Sequence, residues 1–384
     1  MRFEFATAVR VVFGPGAVAE LGGVAGPLGR RALLVTGRTP ERAEAARERL
    51  ASAGIATVAL AVPGEPTVED VRRGRDLGGA ESVDLVVACG GGSAIDAGKA
   101  VAALLGNGGD PLDYLEVVGR GLPLKKPSLP FVAIPTTAGT GSEVTRNAVL
   151  ASPEHRVKAS LRSPLMLARV AIVDPDLLLG LPPHVVAASG LDAFAQLVEP
   201  YVSVRANPMV DALCREGLAR SARSLRRAFE GDSSEAVRVD LALASLFGGL
   251  ALANAGLGAV HGFAAPVGAL FDAPHGAACA ALLPAVLRVN LKALSRRRPQ
   301  SPALERYREI AAIVTGRPEA GPEDAVAWTE SLVRALSIPG LSRWGATEAH
   351  VGQLVAKARA ASSMKGNPVE LEDDELAEIA RNSL

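Results

Sequence analysis

The sequence predicts an α/β amino-terminal domain built on a doubly wound, mostly parallel sheet, followed by an all-α carboxy-terminal domain. Three observations carry this. Short apolar runs alternate with helical stretches through the first half. Those runs are continuous rather than alternating, as in strands covered on both faces. Beyond about Leu181 only helix-period stretches remain. With 384 residues, the chain has room for two domains of ~150 residues or more.

Taken in order, Arg31 to Thr36 (RALLVT) reads as the first strand, Pro40 to Ala53 as a helix, and Thr57 to Val62 (TVALAV) as the second strand. A helix near Val68 to Gly78, a strand at Val83 to Cys89, a helix over Ser93 to Leu105 and a strand at Phe131 to Pro135 continue the βαβ rhythm. Past the Leu181-Pro182-Pro183 punctuation, helices are expected at Ala187 to Val202, Asn207 to Arg227, Ser234 to Ala255 and Ala277 to Leu291. The boundary therefore falls between residues 1–181 and 182–384, and the cleft between the two domains is the natural site. Glu370 to Leu384 reads as a surface helix. No repeat of fixed period and no low-complexity tract is visible.

Composition narrows the function classes. Hydrophobic residues make 48% and charged residues 21% of the chain, which excludes disorder as the main state. The 41 basic and 41 acidic side chains balance, which argues against a nucleic-acid or anionic-membrane surface. The Arg296 to Arg298 run reads as a solvated loop. Cys89, Cys214 and Cys279 are too few and too scattered for a disulfide framework or a Cys-rich zinc site, so a reducing compartment is expected. The first twelve residues lack an apolar leader core, and no stretch reaches ~18 uninterrupted apolar residues. The expected address is the cytoplasm.

Three stretches could carry chemistry. In Cys89-Gly90-Gly91-Gly92-Ser93-Ala94-Ile95-Asp96-Ala97-Gly98-Lys99, a buried strand turns into a helix through three glycines. Without side chains in the way, a ligand reaches the backbone amides and the positive helix end, so Gly91, Gly92 and Ser93 suit a phosphate. Ser93 as helix cap with Asp96 as its partner would explain the same residues without a ligand. The second stretch, Pro135 to Thr145 (PTTAGTGSEVT), also follows a strand, and ligands in open α/β sheets lie outside those strand ends. Thr140 with Glu143 fits a capping box, leaving Thr136, Thr137 and Ser142 as an unusually dense polar cluster. In the helical half, Asp192 and Gln196 share a helix face, while His261 and His275 flank a segment broken by prolines and a glycine. Asp192, His261 and His275 meet the three-ligand minimum of a catalytic zinc site and the two-His, one-carboxylate pattern of iron(II).

Together these stretches resemble the iron-containing (group III) alcohol dehydrogenases, which include maleylacetate reductase and glycerol dehydrogenase relatives. The likeness spans nearly the whole chain. It rests on GGGSAIDAGK at Gly90 to Lys99, PTTAGTGSEVT at Pro135 to Thr145, VDPDLL at Val173 to Leu178, GLDAFAQLVEPYVS at Gly190 to Ser203, and HGFAAPVGALFDAPHG at His261 to Gly276. The resemblance implies a Rossmann-like nicotinamide domain in a dehydroquinate-synthase-like architecture, with a divalent metal, Fe2+ or Zn2+, bound by one Asp and three His. Carried over by position, Gly91, Gly92 and Ser93 match the pyrophosphate loop, Thr136 and Thr145 match cofactor contacts, and Lys158 matches a lysine near the nicotinamide ribose. Asp192, His261 and His275 match metal ligands. Gln196 stands where the family has its third histidine, and Ala265 where some members place a proton-relay histidine.

Many members that use NAD carry an acid after the first strand, whereas this chain has Gly37 and Arg38. Space and positive charge there suit a 2′-phosphate, so NADP(H) is expected to be preferred over NAD(H). The expected reaction is a metal-assisted hydride transfer between the dinucleotide and a small alcohol or carbonyl substrate. Phe194, Phe263, Phe271 and Ala265 read as lining an apolar pocket. Gln196 and Ala265 favour the alternative of a metal-independent, maleylacetate-reductase-like enzyme. A sugar-phosphate cyclase would need Lys or Arg between His261 and His275, where there is none, and an inactive binding protein would hold cofactor without turnover. A homodimer is what the resemblance implies for assembly.

Overall fold

The computed structural model describes residues 2–155 and 157–384, which form two compact units. One contains Ala6 to Thr137 and Gly141 to Gly180; the other contains Leu181 to Leu384, Ala138 to Thr140 and the residues up to Phe5.

The first unit is organised by strands β1 (Arg10–Phe13), β2 (Arg31–Thr36), β3 (Ala56–Ala61), β4 (Leu85–Gly90), β5 (Phe131–Pro135), β6 (Asn147–Ser152), β7 (Val157–Arg162) and β8 (Val170–Val173). Six of them form one sheet in the order β1-β8-β5-β4-β2-β3, and every pairing in it is parallel. Residues 32–36 of β2 and all of β4 and β5 are buried, because helices cover the sheet, which is why these strands read as unbroken apolar runs. The helices are α1 (Leu21–Ala25), α2 (Glu44–Ser52), α3 (Val68–Ala80), α4 (Gly92–Asn107) and α5 (Pro111–Tyr114). A capping box between Thr67 and Asp70 starts α3. The first turn of the expected Pro40 to Ala53 helix is a 3-10 turn.

The sheet contains two strands the sequence reading leaves unassigned, β1 and β8. Each is four residues long, too short for a periodic signal, and their pairing with each other supplies what the local sequence lacks. The antiparallel hairpin β6–β7 is likewise additional. Its strands mix buried and exposed positions, unlike the apolar runs that mark the sheet.

The second unit is helical: α6 (Pro183–Val202), α7 (Pro208–Phe229), α8 (Glu235–Ala255), α9 (Ala259–Phe271), α10 (His275–Arg297), α11 (Pro302–Thr315), α12 (Pro322–Ala335), α13 (Val351–Ala360) and α14 (Asp373–Asn382). In α9, Pro266 lies inside the helix. The segment read as broken is therefore helical, because burial of an almost wholly apolar helix outweighs the proline penalty. Both α8 and α10 have the length and apolarity of membrane spans, yet most of each is packed inside this unit. The Arg296 to Arg298 run is not a loop: its first two residues close α10, and Arg297 pairs with Glu372 at 3.1 Å and Glu375 at 2.6 Å. The terminal helix is no simple surface helix either, since α14 buries Leu376, Ile379 and Ala380.

Candidate active site

Strand order reverses between β2 and β4, so the crevice for a ligand lies at their carboxyl ends. Three loops meet there. The Thr136 amide donates to the Gly90 carbonyl at 2.9 Å. A Cβ on Gly90 would stand 3.2 Å from the Gly37 nitrogen, and one on Gly91 would stand 3.4 Å from Thr137 Oγ1. A side chain at Gly90 would also meet Ala94 at 2.7 Å, so glycine lets these loops approach one another closely. No side chain caps α4, which leaves the first-turn amides at Gly92 and Ser93 and the positive helix end for an anion. A Cβ on Gly37 would meet nothing within 4 Å. The neighbouring Arg38 is exposed, and its Nε donates to the Pro63 carbonyl at 2.9 Å.

The expected Ser93–Asp96 cap is not formed. The helix starts at Gly92, and Asp96 turns to the second loop and to β6, accepting from the Ser142 hydroxyl and from the Val149 amide at 2.9 Å. Lys99, one turn further on, is buried. Its Nζ donates to the Ser142 carbonyl (2.8 Å), Ser142 Oγ (3.0 Å), Thr145 Oγ1 (2.9 Å) and the Asn147 carbonyl (2.7 Å), with Asp96 at 3.5 Å. Asp96, Ser142 and Thr145, expected as cofactor contacts, are thus tied into an internal network that shapes the loop. Thr136 is buried beside Gly90, whereas Gly91, Gly92, Ser93, Thr137 and Thr140 keep exposed surface. Lys158 sits on β7 and pairs with Glu65.

Nor does Thr140 cap a helix. A 3-10 turn at Ser142 to Val144 follows Gly141, whose φ of 58° is the left-handed region that favours glycine. Glu143 in that turn is buried, and burial pushes its carboxyl up to about 7 against the pull of Lys99. The folded protein then keeps this proton up to about pH 7, while the unfolded chain releases it near 4.5. Stability from Glu143 is present below the unfolded value and is lost as pH rises through the folded one. Melting temperatures measured from pH 5 to 8 should therefore fall in the wild type relative to Glu143→Gln.

In the helical unit, Asp192, Gln196 and Glu199 form one stripe of α6, spaced i, i+4, i+7. His261 lies in the first turn of α9, His275 opens α10, and Cys279 follows one turn later. Close approach of α10 to α6 depends on Gly276, where a Cβ would stand 2.6 Å from the Ala188 carbonyl oxygen. Asp192 Oδ1 is 3.3 Å from His261 Nε2 and 3.8 Å from His275 Nε2. The donor atoms of Asp192, His261, His275 and Cys279 all lie within 4.8 Å of one another.

Glu199 sets the state of His261. Its Oε1 accepts from the Val260 amide at 2.7 Å and its Oε2 faces His261 Nδ1 at 2.6 Å. That contact places a proton on Nδ1, so Nε2 is the nitrogen that takes either a second proton or a metal. Asp192 Oδ1 and His261 Nε2 are both buried without a hydrogen-bonded partner. Two facing acceptors in a buried site need a cation or a proton between them. Consistent with that demand, burial opposes the charged form of His261, but Cys279, Glu199 and Asp192 hold its pKa well above the usual value. Beside Cys279 and Asp192, His275 is pushed up to about 9. Two imidazoles and a carboxylate suit a borderline divalent ion, so these residues fit a metal.

Gln196 Oε1 is also buried and without a hydrogen-bonded partner. Phe194 and Phe263 do not line a pocket: both are fully buried in the helical core, with Phe194 against Trp328 at 5.3 Å. Phe271 and Ala265 keep partial exposure. The sequence reading missed Glu199, Cys279 and the work of Lys99. Helix spacing from Asp192 reaches Glu199, but Cys279 pairs with His275 only once α10 is known to start at His275.

Family models describe both halves of the chain: "Iron-containing alcohol dehydrogenase" matches residues 8–175, and "Fe-containing alcohol dehydrogenase family, C-terminal" matches residues 186–384. The 1,3-propanediol dehydrogenase of Klebsiella pneumoniae is 36% identical over 385 residues, covering 97% of this chain and 96% of the relative. A crystal structure of a 1,3-propanediol oxidoreductase superposes with a TM-score of 0.92 at 34% identity, covering 100% of both chains. Sulfoacetaldehyde reductase from Bifidobacterium kashiwanohense, solved with NAD+, gives a TM-score of 0.87 at 27% identity, covering 100% of this chain and 99% of that one.

Proposed function

The chain belongs to the iron-containing alcohol dehydrogenase family, and from that premise we propose that it interconverts a small alcohol and its aldehyde or ketone with NADP(H), assisted by a divalent metal on Asp192, His261 and His275. It is an oxidoreductase acting on CH–OH groups, of a family that binds a nicotinamide dinucleotide and a metal. The observation that carries the metal assignment is the pair of buried, facing acceptors, Asp192 Oδ1 and His261 Nε2, with His275 beside them.

When bound, the metal supplies Lewis acidity toward the substrate oxygen, and the nicotinamide supplies or takes the hydride. The chain's own residues do the rest. Glu199 holds the proton on His261 Nδ1, so Nε2 stays a donor of electrons. Asp192 contributes the negative charge, and burial on α6 keeps it from solvent. Gly91, Gly92 and Ser93 seat the pyrophosphate at the start of α4, next to Thr137. Ala265 offers no titratable group, so the alcohol proton leaves through a different relay or directly to solvent. We place the enzyme in the cytoplasm.

Open space at Gly37 and the Arg38 guanidinium favour the 2′-phosphate. Steady-state oxidation of NADPH and NADH over a panel of short aldehydes and hydroxyaldehydes tests the reading. NADPH is expected to give the higher kcat/KM, and comparable efficiency with NADH would sink the preference. Gly37→Asp puts a carboxylate beside the 2′-phosphate and should cut kcat/KM for NADPH by about tenfold or more, with NADH spared. The metal-independent alternative draws on Gln196, a neutral amide on the ligand stripe, and predicts turnover by metal-free protein.

A further inference from the structure

We infer that Cys279 supplies a thiolate as a fourth protein ligand to the metal held by Asp192, His261 and His275, and that this sulfur makes the centre favour zinc over iron(II). The inference rests on the metal reading above and adds to it a donor of different chemistry.

The geometry is that of a coordination shell. Cys279 lies one turn after His275 on α10, so both side chains leave the same face of the helix. Its Sγ is 3.7 Å from His275 Nε2, and all four donor atoms lie within 4.8 Å of one another. A tetrahedron with Zn–N and Zn–O bonds of ~2.0–2.1 Å and a Zn–S bond of ~2.3 Å has edges of about 3.3–3.6 Å. The Asp192–His261 separation of 3.3 Å lies in that range, and His275–Cys279 at 3.7 Å and Asp192–His275 at 3.8 Å lie just above it, so a small inward movement of the side chains would close the four donors on an ion. The same point is marked independently by Asp192 Oδ1 and His261 Nε2, both buried and both without a hydrogen-bonded partner.

The other two thiols stand elsewhere. All three are buried, but Cys89 and Cys214 lie outside this cluster of donors. Only Cys279 joins other metal-type donors among the described residues. Gln196, on the α6 stripe, offers a neutral carboxamide, a poor ligand for a borderline-soft ion, whereas a thiolate is a strong one. On ligation the thiol gives its proton to solvent, and sulfur favours zinc over iron(II).

The test is zinc K-edge X-ray absorption on the zinc-loaded full-length protein, with zinc affinity measured by chelator competition. Wild type is expected to show one sulfur at ~2.3 Å beside nitrogen and oxygen at ~2.0–2.1 Å. Cys279→Ala and Cys279→Ser should lose the sulfur shell and bind zinc at least tenfold more weakly, with a smaller loss for iron(II). Circular dichroism establishes that these variants fold, and Gln196→Ala, which leaves Cys279 in place, should retain the sulfur shell. Wild-type zinc surrounded by nitrogen and oxygen alone, with unchanged affinity in Cys279→Ser, overturns the inference and leaves Asp192, His261 and His275 as the site. A wild-type protein that takes up neither zinc nor iron(II) overturns this inference and the metal reading together.

Discussion

Asp192→Asn is expected to lower kcat/KM for carbonyl reduction by a factor on the order of 10³ and to bring metal content close to zero. The size follows from the chemistry removed: Lewis-acid stabilisation of a developing alkoxide is worth several kcal/mol, and ~4 kcal/mol is about 10³ in rate. Asparagine keeps the shape of the side chain, so α6 still packs. It also keeps an oxygen opposite His261 Nε2, but without the negative charge that the two histidines now face at 3.3 and 3.8 Å. Metal analysis alongside steady-state kinetics checks the result. Full metal content in Asp192→Asn, with turnover unchanged, would remove Asp192 from the site.

The second large effect lies in the other unit. Lys99→Met should destabilise the protein by roughly 3–5 kcal/mol, the cost of breaking a buried charged network by removing one partner. Four acceptors lose the ammonium: the Asn147 carbonyl, Ser142 Oγ, Thr145 Oγ1 and the Ser142 carbonyl, which keeps the Thr145 hydroxyl and amide as donors. A drop in melting temperature on the order of 10 °C is expected. Because the same network holds the Pro135 to Thr145 loop against α4, dinucleotide affinity should fall by about tenfold as well. Differential scanning fluorimetry and NADPH binding by fluorescence measure both. A variant that melts within a degree or two of wild type would show that Lys99 contributes little to the loop.

Much of this was legible in the sequence, for identifiable reasons. Apolar runs such as RALLVT and FVAIP are strands because both faces of a parallel sheet are covered, and burial removes the alternation that would blur them. The GGGS turn is readable because a backbone approached by a ligand tolerates few side chains. Strands β1, at the sheet edge, and β8, beside it, are less so, since four residues each take their meaning from pairing 160 positions apart, as Arg10 with Val170. Proline and glycine disguised α9, where tertiary burial overrides local propensity. At the site, residue type pointed to Asp192, His261 and His275, and the resemblance of their motifs to the family's made them ligands. They could not show that Asp96, Ser142 and Thr145 turn toward Lys99, nor that Cys279 joins the histidines, because both depend on how elements far apart in the chain pack. Phe194 and Phe263 mark the reverse error: aromatic residues beside a site motif belong to the core around it.

Metal analysis of protein purified without chelator, run beside NADPH oxidation on small aldehydes, before and after chelation and readdition of iron(II) or zinc, tests the central claim most directly. The account predicts near-stoichiometric metal, with activity that disappears on chelation and returns on readdition. Metal-free protein that oxidises NADPH at an undiminished rate would contradict it, and would make His261 and His275 substrate-binding groups of a metal-independent reductase.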